Sequence, residues 1–251
     1  MSVKTLTESG ISRLVWKDSP KVHATFSLKN PELNPDRPIP GLNLGYNTTE
    51  PDAITTANRR RWLQAAGADP ERTSWGIQVH GTHIEKADAP GVYPDTDGLI
   101  CTTPGHSIGI FVADCAAVLL CDEQRGIIAA AHAGWKGAAA GIVPKIVEQM
   151  MASGAVAKHI EAFVAPCISQ DSFEVGEEVA ARFPEAYVSR RAPKPHVDLK
   201  GFIIHQLKEK GLPDARIART SFCTMNDSRR FYSFRREAGQ SGRMMALITL
   251  K

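Results

Sequence analysis

The stretch from Ser107 to Ala131 constrains the fold more than any other part of this chain. It holds three short apolar runs, Ser107 to Val112, Ala116 to Cys121 and Gly126 to Ala131. Asp122-Glu123-Gln124-Arg125 separates the last two, and a polar loop of that length predicts an antiparallel hairpin. A turn centred near Gln124 sets Cys121 against Ile127 and Ala116 against His132. Cys115 lies one step beyond that pair. Cys115 and His132 are therefore expected to meet at the open end of the hairpin.

That meeting has chemical content. A thiol and an imidazole are soft-to-borderline ligands for a zinc-type ion, and His80 in Gln78-Val79-His80-Gly81 supplies a second imidazole. On spacing alone His83 and His106 are as available as His80. Three protein ligands leave one coordination position open, which a catalytic metal needs. Taken singly, Cys115 reads as a small buried hydrophobe. Asp114 beside it changes that reading, because an ionised residue at a strand end next to Gly-rich backbone makes an awkward core.

Composition narrows the class. The 251 residues suit one large domain, 1–251, with no linker to split it. Thirty basic against 27 acidic residues give a net charge of +3, too small an excess to argue for nucleic acid, although Arg59-Arg60-Arg61 and Arg235-Arg236 bunch. Five scattered cysteines without CxxC spacing argue against a disulfide framework or a zinc finger. The polar N-terminus does not read as a signal peptide, and the most apolar stretch, Ile108 to Leu120, is broken by Asp114. The expectation is a cytoplasmic monomer with no membrane partner.

Along the rest of the chain, Thr25 to Asn47 reads as an irregular loop and Asp52 to Ala66 as a helix between Pro51 and Gly67. Trp75 to His80 reads as a strand, Glu85 to Pro94 as turns, and Asp97-Gly98-Leu99-Ile100 as the entry to a short strand. Helices are expected over about Gly141 to Ser153, Glu177 to Arg182 and Leu199 to Lys210. Strands are expected over Glu161 to Ala165, Ile217 to Thr220 and Met244 to Leu250. Strands and helices mix without a regular βαβ period, so the fold class is α+β (mixed α/β).

Two further segments bear on chemistry. His132-Ala133-Gly134-Trp135-Lys136-Gly137 turns from strand into helix, so backbone N–H groups and Lys136 together offer an anion site. Phe231-Tyr232-Ser233-Phe234-Arg235-Arg236 alternates aromatic and polar residues, which would bury one face and send an arginine toward a pocket. Cys167, between a strand and a turn, reads as structural. There is no G-x-S-x-G elbow, no Walker A sequence and no strand-linked G-x-G-x-x-G. The eight histidines include no His-x-His pair, so the sequence supports one metal site and not a four-copper oxidase.

These motifs, with Ala113-Asp114-Cys115 and Phe173-Glu174-Val175-Gly176, resemble the YfiH-like family, also labelled polyphenol oxidase or laccase-domain. The likeness keeps consistent order from about Leu42 to Leu250. Asn43-Leu44-Gly45, Asn58-Arg59, Asp97 and Gly242-Arg243-Met244 fall where the family has similar residues. The resemblance implies a layered fold, mixed sheets flanked by helices, shared with the catalytic domain of cytotoxic necrotizing factor. It implies a zinc ion on His80, Cys115 and His132, with copper fitting the same site. It further implies purine nucleoside phosphorylase activity on adenosine, inosine and S-methyl-5′-thioadenosine, with adenosine deaminase activity beside it.

On this reading Asp114 and Cys115 are the candidate catalytic residues, with Asp114 in proton transfer or in support of the ligands. Lys136, Arg235, Asn43 and Gln78 are the candidates for binding nucleoside and phosphate. The family's Ser-Thr-Arg and Gly-Gly near the N-terminus are replaced here by His23-Ala24-Thr25-Phe26-Ser27-Leu28-Lys29-Asn30, where Lys29 could stand in for the arginine. Two alternatives remain open. One is a Cys–His amidase or deamidase with Cys115 as nucleophile, the other an editing role on peptidoglycan precursors.

Overall fold

Successive side chains of a strand point to opposite faces, and in the central hairpin both faces are apolar. Such strands need cover on both sides. The computed structural model, which describes residues 2–46, 48–191 and 193–251, provides it with two stacked sheets and an outer layer of helices on each.

In chain order the first strands are β1 (Lys4–Glu8), β2 (Ile11–Asp18), β3 (Val22–Ser27), β4 (Thr73–Gly76), β5 (Ile84–Lys86) and β6 (Gly91–Tyr93). There follow β7 (Gly98–Cys101), β8 (His106–Val112), β9 (Ala116–Asp122), β10 (Ile127–Ala133) and β11 (Glu161–Val164). The last are β12 (Val188–Ser189), β13 (His196–Val197), β14 (Ile217–Arg219) and β15 (Met244–Leu250). The helices are α1 (Asp52–Ala65), α2 (Trp135–Ala139), α3 (Ile142–Ala152), α4 (Glu177–Ala180) and α5 (Leu199–Glu209).

One sheet runs β1-β2-β3-β15-β8-β4-β6 and the other β14-β11-β9-β10-β7-β5, while β12 and β13 pair separately. Both large sheets are mixed: β4 lies parallel to β6 and β8, β11 to β14, and β5 to β7. Phe26, Ile108 and Ile110 of the first sheet meet Leu99, Leu119 and Phe163 of the second in the central core. On the far side of the second sheet, Val118, Leu120 and Ala129 pack with Ile146 and Val147 of α3 and Ile203 of α5. On the far side of the first, Met245 and Leu247 pack with Trp62 and Leu63 of α1. The layers are helix, sheet, sheet, helix. This is the mixed α/β class expected from the sequence.

Several expectations need correction. The irregular loop starts after Ser27 and not at Thr25, because β3 continues to Ser27 between β2 and β15. Three N-terminal strands had no counterpart in the sequence reading. The strand expected through His80 stops at Gly76, for a reason found at the functional site. Glu85 to Pro94, expected as turns, holds most of β5 and all of β6. Pro144 falls in the first turn of α3, where its missing N–H costs no helical bond.

Candidate metal centre

The β9–β10 hairpin is present, with its register one residue from the expected one. Cys121 pairs with Ile128, and His132 with Ala117. The shift matters because Cys115 precedes Ala117 by two residues, and both pack toward the core between the sheets. Cys115 and His132 thus approach diagonally on one face instead of alternating across the sheet.

His80 comes from the loop after β4. Its donor atom, that of Cys115 and that of His132 all lie within 4.8 Å of one another, and they form the only such group of three or more ligand-type side chains among the described residues. The two imidazole rings stand 4.7 Å apart, nearly perpendicular. His132 is buried, Cys115 half-buried and His80 exposed, so the group sits at a surface opening.

Asp97 organises the site. Its Oδ1 accepts from His132 Nδ1 at 2.7 Å and from the His80 N–H at 3.0 Å. Its Oδ2 accepts from the N–H groups of Gly81 at 2.7 Å and Val79 at 3.1 Å. Three successive amides turned onto one carboxylate explain why the chain leaves the strand direction after Gly76 and why His80 adopts φ +61°. With its proton fixed on Nδ1, His132 turns its other ring nitrogen, Nε2, to the site, where a metal would take its lone pair. Burial pushes the Asp97 carboxyl up, but His132 and the amides outweigh it and hold it below the ordinary range.

Cys115 and His132 are electrostatically coupled. Burial alone would raise the thiol, yet the imidazoles of His132 and His80 hold it below the ordinary thiol range. Burial would lower the His132 imidazole, while Cys115 and Asp97 hold it above its ordinary value. The chain thus favours a thiolate, the form that ligates metals and attacks electrophiles. Gly134 leaves room for it. A Cβ there would stand 2.9 Å from Cys115 Sγ and 3.2 Å from His80 Cδ2.

Asp114 also has a positive φ, +78°. Its carboxylate accepts from Thr224 Oγ1 at 2.6 Å, Ser233 Oγ at 2.9 Å and the Arg235 N–H at 2.7 Å. The Phe231 segment is a turn and not an alternating strand. Phe231, Tyr232 and Ser233 are all buried, and Phe234 is exposed. The Arg235 side chain donates to the Glu174 carbonyl at 2.9 Å. Lys136 is exposed in the first turn of α2, 5.6 Å from the centre of the Trp135 ring.

Asn43 and Gln78 spend their amides on the protein itself. Gln78 bonds both backbone groups of Phe111 at 2.8 Å. Asn43 accepts from the N–H groups of Gly45 and Arg243 and donates to Glu50 Oε2. Lys29 lies over the Tyr232 ring and 3.9 Å from Glu237.

Asp97 was not among the candidate site residues. Ligating histidines usually donate their second ring N–H to an acid or carbonyl, and Asp97 immediately precedes the strand that pairs with β10, so a search for that partner would have found it. Arg243 was missed too. Burial lowers its guanidinium, while Cys115, Asp114 and Glu237 oppose that shift through charge, which places a cation in the field of the thiol. Its guanidinium also lies 5.5 Å from the centre of the exposed Phe234 ring.

Comparison with known proteins gives the family and agrees with the fold. The profile of the family described as multi-copper polyphenol oxidoreductase laccase matches residues 26–251. A purine nucleoside phosphorylase of Deinococcus radiodurans is 40% identical over 217 residues, covering 85% of this chain and 83% of the relative. The adenosine deaminase RL5 of an unknown prokaryote is 37% identical over 163 residues, 62% of each chain. The crystal structure of the Bacillus licheniformis protein YfiH superposes with a TM-score of 0.91 at 26% identity, covering 98% of this chain and 99% of that one. With fold, motif order and sequence in agreement, the chain belongs to the YfiH-like, laccase-domain family.

Proposed function

We propose that this protein is a zinc-dependent purine nucleoside phosphorylase. It would act on adenosine, inosine and S-methyl-5′-thioadenosine, with adenosine deamination as a side activity, as a cytoplasmic monomer. The observation that carries the reading is the donor set of His80, Cys115 and His132 within 4.8 Å, in a family whose relatives include named purine nucleoside phosphorylases. Two imidazoles and a thiolate would hold zinc, and copper fits the same donors. When bound, the ion supplies Lewis-acid polarisation of an oxygen.

The chain's own residues do the rest. Asp97 keeps the His132 proton on Nδ1 and anchors the His80 loop. Asp114, satisfied by three donors, positions Cys115 from the preceding residue. Lys136, Arg235 and Arg243 supply positive charge for phosphate, and exposed Phe234 and Val79 offer apolar surface for a base. A phosphate oxygen bonds to the anomeric carbon as the glycosidic C–N bond breaks. The electron pair leaves with the base, which takes up a proton.

Product analysis of purified protein with adenosine tests this. Adenine and ribose 1-phosphate should appear together and only with phosphate, while inosine forms without it. Adenine release that is unchanged when phosphate is removed would replace phosphorolysis by hydrolysis. A second reading, Cys115 as a nucleophile paired with His132, is favoured by the coupled thiol and imidazole. Activity that survives complete removal of metal would support it over the first.

A further inference from the structure

Outside the metal centre, two of the remaining cysteines stand together. Cys167, just after β11, and Cys223, just after β14, form an isolated parallel bridge between their backbones. Directly paired positions on neighbouring strands lie roughly 4.7–4.9 Å apart. That is inside the roughly 4.4–6.8 Å separation of α-carbons across which a disulfide forms. Both are free thiols, as are Cys101 and Cys121, which lie in the core between the sheets.

Cys223 is buried as well but keeps 9% exposure, whereas Cys101, Cys121 and Cys167 have none. It lines a surface groove of about 550 Å3 with Ser221, Phe222, Asn226 and Arg230. Its Sγ receives the Ser169 N–H at 3.3 Å and lies 3.6 Å from Ser172 Oγ. Those contacts outweigh burial and lower its pKa, whereas burial pushes Cys167 up to about 12. The two thiols thus differ in surroundings: Cys223 keeps slight exposure beside the groove, and Cys167 is fully enclosed.

We propose that Cys223 and Cys167 are a peroxide-reactive pair that closes to a disulfide and thereby acts on the metal centre. The Cys223 sulfur attacks a hydroperoxide oxygen, the O–O bond breaks, and Cys223 becomes a sulfenic acid as the peroxide is reduced to water or an alcohol. The Cys167 sulfur then attacks Cys223 Sγ. The S–O bond breaks, the Cys167 proton leaves with the hydroxyl as water, and an S–S bond remains.

The link to the site is short. Ile168, the residue after Cys167, donates its N–H to the Asp114 carbonyl at 3.0 Å. Thr224, the residue after Cys223, holds the Asp114 carboxylate at 2.6 Å and bonds the Cys167 carbonyl at 3.2 Å. Drawing the two sulfurs together moves both supports of Asp114, whose neighbour is Cys115.

Peptide mapping of the hydrogen-peroxide-treated, metal-loaded protein tests the proposal. A Cys167–Cys223 cross-linked peptide should form, with loss of two hydrogens, and dithiothreitol should release it. C167S should stop at a dimedone-trappable sulfenic acid on Cys223. Adenosine turnover, which rests on the functional reading above, should fall on oxidation and recover on reduction in the wild type but not respond in C223S. A cross-link joining Cys115 to either residue, or Cys223 left fully alkylatable, overturns the pairing. A Cys167–Cys223 cross-link with unchanged turnover overturns its action on the site.

Discussion

At the residue scale, Asp97 does more for the site than any ligand does alone. It fixes one imidazole through its ring and the other through its backbone. Asp97→Asn keeps the size but removes the charge, and its NH2 must face N–H donors. A buried donor left unsatisfied costs roughly 1–3 kcal/mol, so the thermal midpoint should fall. Loss of an acid that orients a ligand typically costs about 10–100-fold in metal affinity. Titration against a chromogenic chelator should show a drop of that order. Unchanged affinity would mean that the His132 tautomer is set elsewhere.

At the element scale, the hairpin and the turn after it decide whether the ligands meet. Gly134 has an ordinary φ of −67°, so its role there is steric. Gly134→Ala should leave far-UV circular dichroism unchanged while reducing bound metal, because the new methyl occupies the space between Cys115 and His80. Full metal content in that variant would show that the loop yields. The hairpin was legible in the sequence because two apolar runs flank a polar loop, but the register was not. Asp122 accepts from the Gln124 and Arg125 N–H groups, and Gly126 adopts φ +65°, which moves the pairing by one residue. The N-terminal strands were missed although Ser9 and Gly10, both at positive φ, make the two-residue turn typical of a hairpin. Fully exposed β1 has no apolar face to betray it. Trp75 to His80 reads as one strand in the sequence because the loop geometry of His80 depends on Asp97, seventeen residues later.

At the scale of the whole molecule, the stacked layers enclose two histidines outside the metal centre, His106 fully and His23 in part. His106 is buried, with Nε2 2.9 Å from Ser74 Oγ. Burial lowers its pKa, and Arg72 adds to the effect. Burial lowers His23 as well, against the pull of Asp18. Just below about pH 6.5, where a free histidine titrates, the unfolded chain binds these protons and the folded chain does not. Stability therefore rises with pH across that window and is lost as pH falls below 6.5 toward the folded pKa values. His106→Asn should flatten this acid limb of the urea midpoint against pH, and an unaltered slope would assign the limb to other groups. Among the described residues, no helix is long and apolar enough to cross a membrane.

The claim on which the functional reading depends is that His80, Cys115 and His132 together hold one metal ion. Elemental analysis of protein purified without chelator tests it most directly. About one zinc per chain should be found in the wild type, as three ligands and one open position require, and Cys115→Ala should lose it while remaining folded. Equal metal in both proteins, or none in a wild type supplied with zinc, would contradict it.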